Sequence, residues 1–351
     1  MIARSRGENE TAAEPVAEKR RGVSLRALAQ IVIGVGALAL VIMKAEPRGL
    51  AEAIKATRIS YLPLAVLASV VVTWLMAYRW GVILNVRCHR IKTRRLFAYY
   101  LIGIFFMNFV PGGGVTSDVA RLIYVDREVR DKPFVLSTLV YERMVGLFTL
   151  LLIGLGATFA SRIYRPTDGF FYLSEIVLAV AFIASAMLMS DTISSRLARL
   201  AKWAGARFGI PRVGEAASRT LETIVEMRRY KGMLLRILLL SVMIRVIWSL
   251  GCFVVAQAMG LPLGLPVVFA FISLVDLIRM LPISVGGLGV REWAIVLLFA
   301  NAGIAREQAL MFSFLAFAPT MLNAVAGGII YVSRAGLLKA AHKRAATEGR
   351  P

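Results

Sequence analysis

Two interruptions in otherwise apolar sequence constrain the fold of this chain more than any other feature. The first follows Leu96–Val110, a run of fifteen residues. As a helix this run spans about 22 Å, at about 1.5 Å per residue, whereas a bilayer core of about 30 Å needs about twenty residues. Helix-breaking residues come next, namely Pro111, Gly112, Gly113 and Gly114. We therefore expect the helix to end inside the membrane, where non-helical backbone is tolerated only if protein buries it or it lines a watery cavity.

The second interruption repeats this pattern, with the breaking residues Pro282, Gly286, Gly287 and Gly289. Charged residues follow each break, Asp118 and Arg121 after the first and Arg291 and Glu292 after the second. The spacing from proline to arginine is ten residues in the first break and nine in the second. Matching breaks indicate two related halves, and in transporters such broken segments point to the binding site.

Long apolar runs decide the class of protein. Hydrophobic residues make up 58% of the 351 residues, and several runs are long enough to cross a bilayer. The sequence predicts an all-α polytopic membrane protein with two broken or re-entrant helical hairpins, at about 96–120 and 263–301. About six full spans are predicted, at about 27–43, 61–84, 134–160, 171–190, 234–259 and 307–331.

The distribution of basic residues predicts the topology. The net charge of +21 comes from residues between the apolar runs, and no nucleic-acid-binding signature is present, so no nucleic-acid partner is predicted. The predicted cytoplasmic segments hold 30 Lys and Arg residues and the external ones hold seven. By the positive-inside rule both termini are cytoplasmic. We predict a multi-pass protein of a bacterial cytoplasmic (inner) membrane.

This topology gives the two broken segments opposite orientations. The first opens from the cytoplasm and the second from outside, which is the arrangement of inverted repeats around a site at the membrane midplane. If each broken segment is instead a pair of thin full spans, the chain still returns to the side of the membrane from which it entered. Charge counting therefore leaves both arrangements open.

The predicted domains follow from these spans. They are a disordered cytoplasmic tail (1–26), a transmembrane domain (27–333) with halves at about 61–190 and 234–333, a basic amphipathic cytoplasmic segment (191–233) between the halves, and a basic cytoplasmic tail (334–351). Within the segment between the halves, Ile193, Leu197, Leu200 and Trp203 recur at helical spacing, and basic residues lie off that stripe. The pattern is typical of a helix on an anionic membrane surface. The alternative is a solvated cytoplasmic helix.

Five arginines lie in or beside apolar runs: Arg143, Arg236, Arg245, Arg279 and Arg291. Ionisable groups at such depth are costly and usually face a cavity or each other. Glu142 and Arg143 are neighbours that point about 100° apart on a helix, so each needs a partner on another helix. Asp276 and Arg279 stand three residues apart and can pair on one helix face. Arg236 is predicted to reach the membrane interface.

The glycine-rich breaks have a chemical use. A helix that begins after Gly114 or Gly289 presents unpaired amides and the positive end of its dipole, which together with arginine suit a phosphate head group. The alternative is that the glycines only allow close helix packing. The predicted substrate-binding residues are Asp118, Arg121, Glu142, Arg143, Arg245, Arg291 and Glu292.

No metal or cofactor site is predicted from the sequence. The aspartates form no D-x-D pattern, and His89 and His342 lie outside the spans. The run Gly112-Gly-Gly is not a nucleotide-binding loop, because no Gly-Lys-Ser/Thr follows it.

Three motifs make the chain similar to a known family. They are Pro111 with Ser117-Asp118-Val-Ala-Arg121, the pair Glu142-Arg143, and the stretch from Pro282 to Glu292. Together they resemble the flippase-like transmembrane domain shared by lysylphosphatidylglycerol synthetases and many stand-alone membrane proteins, over about residues 27–333. The chain departs from the family at Ser117, where glycine is usual, and in lacking a basic residue in 317–323.

The resemblance implies a stand-alone member without the synthase domain, and therefore lipid translocation without lysyl transfer. The expected function is a lipid flippase or transporter that moves a polar- or anionic-headed phospholipid between leaflets without ATP hydrolysis, and the chain is not expected to be an enzyme. Two alternatives are a membrane-embedded transferase acting on lipid-linked substrates and a non-transporting membrane partner subunit.

Overall fold

The computed structural model describes residues 55, 57–87, 90–161, 169–188, 190–280 and 284–348, and every regular element within these ranges is helical. The α-helices, numbered in chain order, are α1 (Leu62–Leu84), α2 (Thr93–Phe109), α3 (Gly114–Val129), α4 (Lys132–Ser161), α5 (Gly169–Leu188), α6 (Asp191–Arg207), α7 (Pro211–Arg228), α8 (Lys231–Ala258), α9 (Leu265–Arg279), α10 (Val290–Ala300) and α11 (Arg306–Glu348). The predicted all-α class is confirmed for these residues.

Four helical segments of the described chain are long and apolar enough to cross a membrane: Ile59–Arg87, Lys132–Ser161, Lys231–Ala258 and Arg306–Arg334. A fifth candidate, Tyr172–Met187, runs into Asp191–Arg207 with a bend of 76°. The apolar helices therefore support a multi-pass membrane protein with four or five spans in this part of the chain. The predicted span at 27–43 and the predicted tail at 1–26 lie outside the described residues.

The first break occurs where the sequence predicts it. Helix α2 ends at Phe109 and α3 begins at Gly114. Gly112 and Gly113 have φ angles of 112° and 54°, a region that residues with a Cβ atom rarely adopt. The Thr116 hydroxyl donates a hydrogen bond to the Gly113 carbonyl oxygen at 2.7 Å. Glycine thus allows the turn, and threonine adds a hydrogen bond to the Gly113 carbonyl oxygen, which also accepts from the Ser117 amide at 3.4 Å.

The second break separates α9, which ends at Arg279, from α10, which begins at Val290. Gly286, Gly287 and Gly289 have φ angles of 61°, 79° and 79°, so this break too depends on residues without a Cβ atom. The predicted breaking residue Pro282 lies outside the described residues.

The two breaks meet in space. A Cβ atom placed on Gly286 would lie 3.2 Å from the Cα atom and 3.1 Å from the Oδ1 atom of Asn108. Asn108 is the penultimate residue of α2, directly before the first break. The two breaks are therefore in contact here, and the absence of a Cβ atom at Gly286 permits the close approach.

We expect Gly286→Ala to lower the free energy of unfolding by about 1–2 kcal/mol from the left-handed backbone alone, with a further loss from the clash with Asn108. Gly156→Ala is the matched control, because a Cβ atom at this helical glycine of α4 meets no described atom within 4 Å. The control should be neutral or stabilising by up to about 1 kcal/mol. Thermal unfolding of both variants in detergent tests this, and equal melting temperatures would contradict it.

Two apolar cores hold the helices together. One surrounds Trp80, Phe134 and Tyr141, none of them more than 1% exposed, and draws on α1, α2, α3, α4, α7 and α8. The other includes Phe271, Phe299 and Phe312 of α9, α10 and α11. Each core therefore holds the helices on both sides of one break in place.

Candidate functional site

The first arginine cluster consists of Arg79, Asp118, Arg121, Glu142 and Arg143, which lie on α1, α3 and α4. Its centre is the Glu142 carboxylate, which accepts hydrogen bonds from Arg79 Nη2 at 2.7 Å and Arg121 Nη1 at 3.0 Å. The Tyr100 hydroxyl donates to the same carboxylate. Arg79, Arg121 and Glu142 are 5%, 6% and 4% exposed. Two arginines are thus held in apolar surroundings by one shared counter-ion.

Asp118 extends this cluster towards the surface. Its carboxylate accepts from Arg121 Nη2 at 2.5 Å and also from Arg143 Nε. The side chain of Arg143 is 42% exposed and that of Asp118 is 18% exposed. The prediction that Glu142 and Arg143 find partners on other helices is confirmed. Arg143 forms the accessible end of the cluster.

Arg143 also reaches the beginning of α3. Its Nη2 atom donates to the Gly114 carbonyl oxygen at 2.7 Å. A Cβ atom on Gly114 would lie 2.6 Å from that same Nη2 atom, so the contact requires glycine. No side chain of the described chain caps the amides at this helix start. An exposed guanidinium therefore lies beside helix-start amides that no side chain caps, and of these the Val115 amide donates to the Gly112 carbonyl oxygen at 3.2 Å.

Aromatic rings support the buried guanidinium of Arg121. Its central carbon lies 4.3 Å from the ring centroid of Tyr100 and 5.1 Å from that of Trp80. The Trp80 indole is itself fixed, because its Nε1 atom donates to Thr138 Oγ1 at 3.0 Å. Cation–π contacts of this kind strengthen when water is excluded, so the rings stabilise Arg121 in addition to its carboxylate partners.

The charge count grouped Arg79 with the basic cytoplasmic residues 79–95, although the predicted span at 61–84 contains it, and the structure corrects that grouping. Helix α1 continues to Leu84, and Arg79 lies buried within it. Arg79 Nη1 donates to Ser241 Oγ of α8 at 2.7 Å. The apolar run that resumes directly after Arg79 is a sequence signal for this placement.

The second arginine cluster consists of Arg245, Asp276, Arg279, Arg291 and Glu292, which lie on α8, α9 and α10. Asp276 accepts hydrogen bonds from Arg245, from Trp248 Nε1 at 3.1 Å and from Arg279 Nη1 at 3.3 Å. The predicted pairing of Asp276 with Arg279 on one helix face is confirmed. Arg245, which lies near the middle of the predicted span at 234–259, pairs with the same carboxylate.

Glu292 caps the helix that follows the second break. Its Oε2 atom accepts from the Gly289 amide at 2.6 Å, and the other oxygen accepts from Arg291. The anion site predicted at this helix start is therefore already filled by a carboxylate of the chain. Ser313 Oγ accepts from Arg291 Nε at 3.1 Å, and the guanidinium lies 3.7 Å from the Phe317 ring centroid.

Both clusters carry the same charge. Each contains three guanidiniums and two carboxylates, which gives a net charge of +1 when all five groups are ionised. Some nitrogen–hydrogen donors stay unused among the described residues: Arg79 Nε, Arg121 Nε, Arg279 Nε and Arg291 Nη1. Each cluster thus has both surplus positive charge and spare hydrogen-bonding capacity.

Several contributors to the clusters were not identified from the sequence: Arg79, Tyr100, Ser241, Trp248, Ser313 and Phe317.

Arg236, predicted to reach the membrane interface, is exposed on α8. In the stretch without a basic residue, Asn323 Nδ2 donates to Ser69 Oγ at 3.0 Å and to Thr73 Oγ1 at 3.1 Å. In the part of the chain that the structure describes, no three His, Cys, Asp or Glu side chains converge as metal ligands would.

Comparison with known proteins agrees with the motifs. A family model described as the lysylphosphatidylglycerol synthase TM region matches residues 27–328. A UPF0104 membrane protein of Methanothermobacter thermautotrophicus is 23% identical over 295 residues, which are 78% of this chain and 85% of that protein. A UPF0104 membrane protein of Methanocaldococcus jannaschii is 27% identical over 135 residues, 37% of this chain and 38% of that protein. No solved structure matches the chain. The chain belongs to the lysylphosphatidylglycerol synthase transmembrane-region family.

Proposed function

We propose that this protein is a lipid flippase or transporter, which moves a polar- or anionic-headed phospholipid between membrane leaflets without ATP hydrolysis and without enzymatic chemistry. The observation that carries this proposal is the surplus positive charge of the two arginine clusters, which adjoin helix breaks within apolar helices. Uncompensated charge at such depth is costly. A lipid phosphate is the anion that a membrane supplies in quantity, and it would neutralise the surplus.

The first break is the better place for the phosphate to bind. Arg143 is 42% exposed there, and the amides that start α3 have no side-chain cap. A helix N-terminus with an adjacent guanidinium favours an anion through both hydrogen bonds and the helix dipole. At the second break Glu292 already accepts from the Gly289 amide. Entry of the head group would therefore begin at Arg143.

The carboxylates have a positioning role in this proposal. Asp118 joins Arg121 to Arg143, and Glu142 joins Arg79 to Arg121. A phosphate that binds Arg143 competes with Asp118 for the same guanidinium, so binding and release need only exchange one ion pair for another. Rearrangement of the two halves at the contact between Asn108 and Gly286 would then carry the head group past the breaks.

Cytoplasmic termini and a bacterial inner-membrane location belong to the same proposal.

Reconstitution tests the function directly. Purified protein in liposomes should accelerate the movement of fluorescently labelled phosphatidylglycerol between leaflets, measured by the bleaching of outer-leaflet label with dithionite. Labelled phosphatidylcholine, with the same phosphate but no net charge, reports whether net charge matters. Vesicles without protein and vesicles with heat-denatured protein provide the baselines. Rates equal to both baselines for several anionic lipids would contradict the proposal.

A further inference from the structure

The hairpin formed by α6 and α7 lies outside both arginine clusters and has a surface that they do not explain. The candidate span Tyr172–Met187 turns by 76° into Asp191–Arg207. If the span crosses the bilayer close to its normal, α6 lies close to the membrane plane. The sequence pattern left open whether this segment contacts the membrane or lies free in water.

Helix α6 has three distinct faces. Ser194, Ala198 and Gly205 are buried on the face that packs against α7. A second face leaves Leu200 and Trp203 exposed by 55% and 61%, and it also carries the exposed Arg196. The third face carries exposed polar and basic residues, Ser195, Arg199 and Lys202 among them. The apolar face is therefore not used in packing within the described chain.

Apolar side chains are also exposed at the tip of the hairpin. Phe208 and Ile210, which lie between α6 and α7, are 76% and 53% exposed. Arg207 is exposed beside them. Exposed tryptophan and phenylalanine in water are unfavourable, whereas at a membrane interface their rings are stabilised. Neighbouring basic side chains match the phosphates of an anionic lipid surface.

The orientation of this surface is fixed by tight contacts inside the hairpin. A Cβ atom on Gly205 would lie 2.7 Å from the Cα atom of Gly214, so the two helices cross at backbone contact. Arg228 of α7 bonds to Asp191 and to Ser194 Oγ of α6, each at 3.2 Å. The hairpin therefore presents its apolar face as one unit.

The hairpin is also joined to the helices of the first arginine cluster. Ile224 and Met227 of α7 are 0% exposed in the core that contains Phe134 of α4. Arg87, three residues after the end of α1, pairs with Glu226 of α7 at 3.2 Å and with Asp131 before α4 at 3.3 Å. A contact made by the hairpin tip thus constrains the ends of α1 and α4.

We propose that the α6 face and the tip formed by residues 208–210 bind the anionic surface of the bilayer that holds the protein. Trp203 and Phe208 lie at the boundary of the acyl chains, and Arg199 and Lys202 lie at the phosphates. The hairpin thereby anchors one end of the first-cluster helices to the lipid head groups. The inference does not depend on lipid transport.

Site-specific fluorescence in the full-length protein tests this binding. Single cysteines are introduced as Trp203→Cys, Phe208→Cys and, as the control on the polar face, Ser195→Cys, in a background with Cys88→Ser and Cys252→Ala. Each is labelled with an environment-sensitive nitrobenzoxadiazole dye in nanodiscs of phosphatidylcholine alone or mixed equally with phosphatidylglycerol. Size-exclusion chromatography confirms that each variant is folded.

We expect brominated acyl chains to quench the dye at positions 203 and 208, and aqueous iodide to quench it at 195. The blue shift at 208 should be larger with phosphatidylglycerol, and Arg199→Gln with Lys202→Gln should remove that difference. Quenching of position 208 by iodide alone would overturn the proposal in favour of a solvated hairpin. Protection from both quenchers would overturn it in favour of cover by another segment of the chain.

Discussion

Replacing Glu142 with Gln should destabilise the protein by about 3–5 kcal/mol and abolish lipid transport. Glu142 is 4% exposed and is the shared counter-ion of Arg79 and Arg121. Glutamine keeps the shape of the side chain but leaves two buried guanidiniums with only Asp118 as a carboxylate partner. Removing one member of a buried ion pair typically costs this much, because an uncompensated charge remains. Thermal unfolding in detergent and flux in liposomes measure the two effects.

Glu226→Gln is the matched control for this change. Glu226 pairs with Arg87 at 3.2 Å, but the two side chains are 53% and 39% exposed, and pairs in water contribute about 0–1 kcal/mol. A double variant gives a second check. Arg79→Gln combined with Glu142→Gln should melt at a higher temperature than Glu142→Gln alone. The single variant leaves the buried Arg79 charge without its carboxylate partner, whereas the double variant removes that charge as well. A Glu142→Gln protein as stable as wild type would show that the carboxylate is not the counter-ion of the cluster.

The positions of the helix breaks could be predicted from the sequence because their cause is local. Proline and glycine act on the backbone of their own residues, so the ends of α2 and α9 and the starts of α3 and α10 follow from short stretches of sequence. The need of Glu142 and Arg143 for partners on other helices was also predictable, from the angle between neighbouring residues on a helix.

The identity of those partners could not be predicted in the same way. Arg79 is 63 residues from Glu142, and counting charges along the chain assigns it to the nearest basic connection. Ser241 and Tyr100 reach the first cluster only because α8 and α2 pack beside α1 and α4. Such contacts depend on tertiary packing, on which spacing along one helix gives no information.

At the second break the sequence contained a signal for a capped helix start, but the interpretation gave more weight to the glycines. Glu292 is the third residue of α10, the position from which a glutamate reaches back to the amide before the helix. Its bond to the Gly289 amide removes the open anion site that the glycines alone predict. The corresponding start of α3 has no acidic residue in its first turn. This difference between the two breaks is the reason that we propose the head-group site at the first break.

Replacing Arg143 with Ala should reduce lipid flux by about ten- to a hundredfold while leaving the melting temperature near that of wild type. Arg143 is 42% exposed, and Asp118 keeps its bond to Arg121 at 2.5 Å, so no buried charge is left without a partner. A hydrogen bond to a charged group contributes about 1.5–3 kcal/mol, which corresponds to the expected loss of flux if the phosphate binds Arg143 more tightly during translocation than before it.

Arg236→Ala is the matched control, because it removes an exposed arginine of α8 from outside both arginine clusters and should leave flux unchanged. Arg143→Lys should give intermediate flux, since lysine keeps the charge but cannot form the paired hydrogen bonds of a guanidinium with phosphate. The contrast with Glu142→Gln is the decisive comparison. Glu142→Gln should lose stability and flux together, whereas Arg143→Ala should lose flux alone. Wild-type flux in a well-folded Arg143→Ala protein would place the head-group site away from the first break.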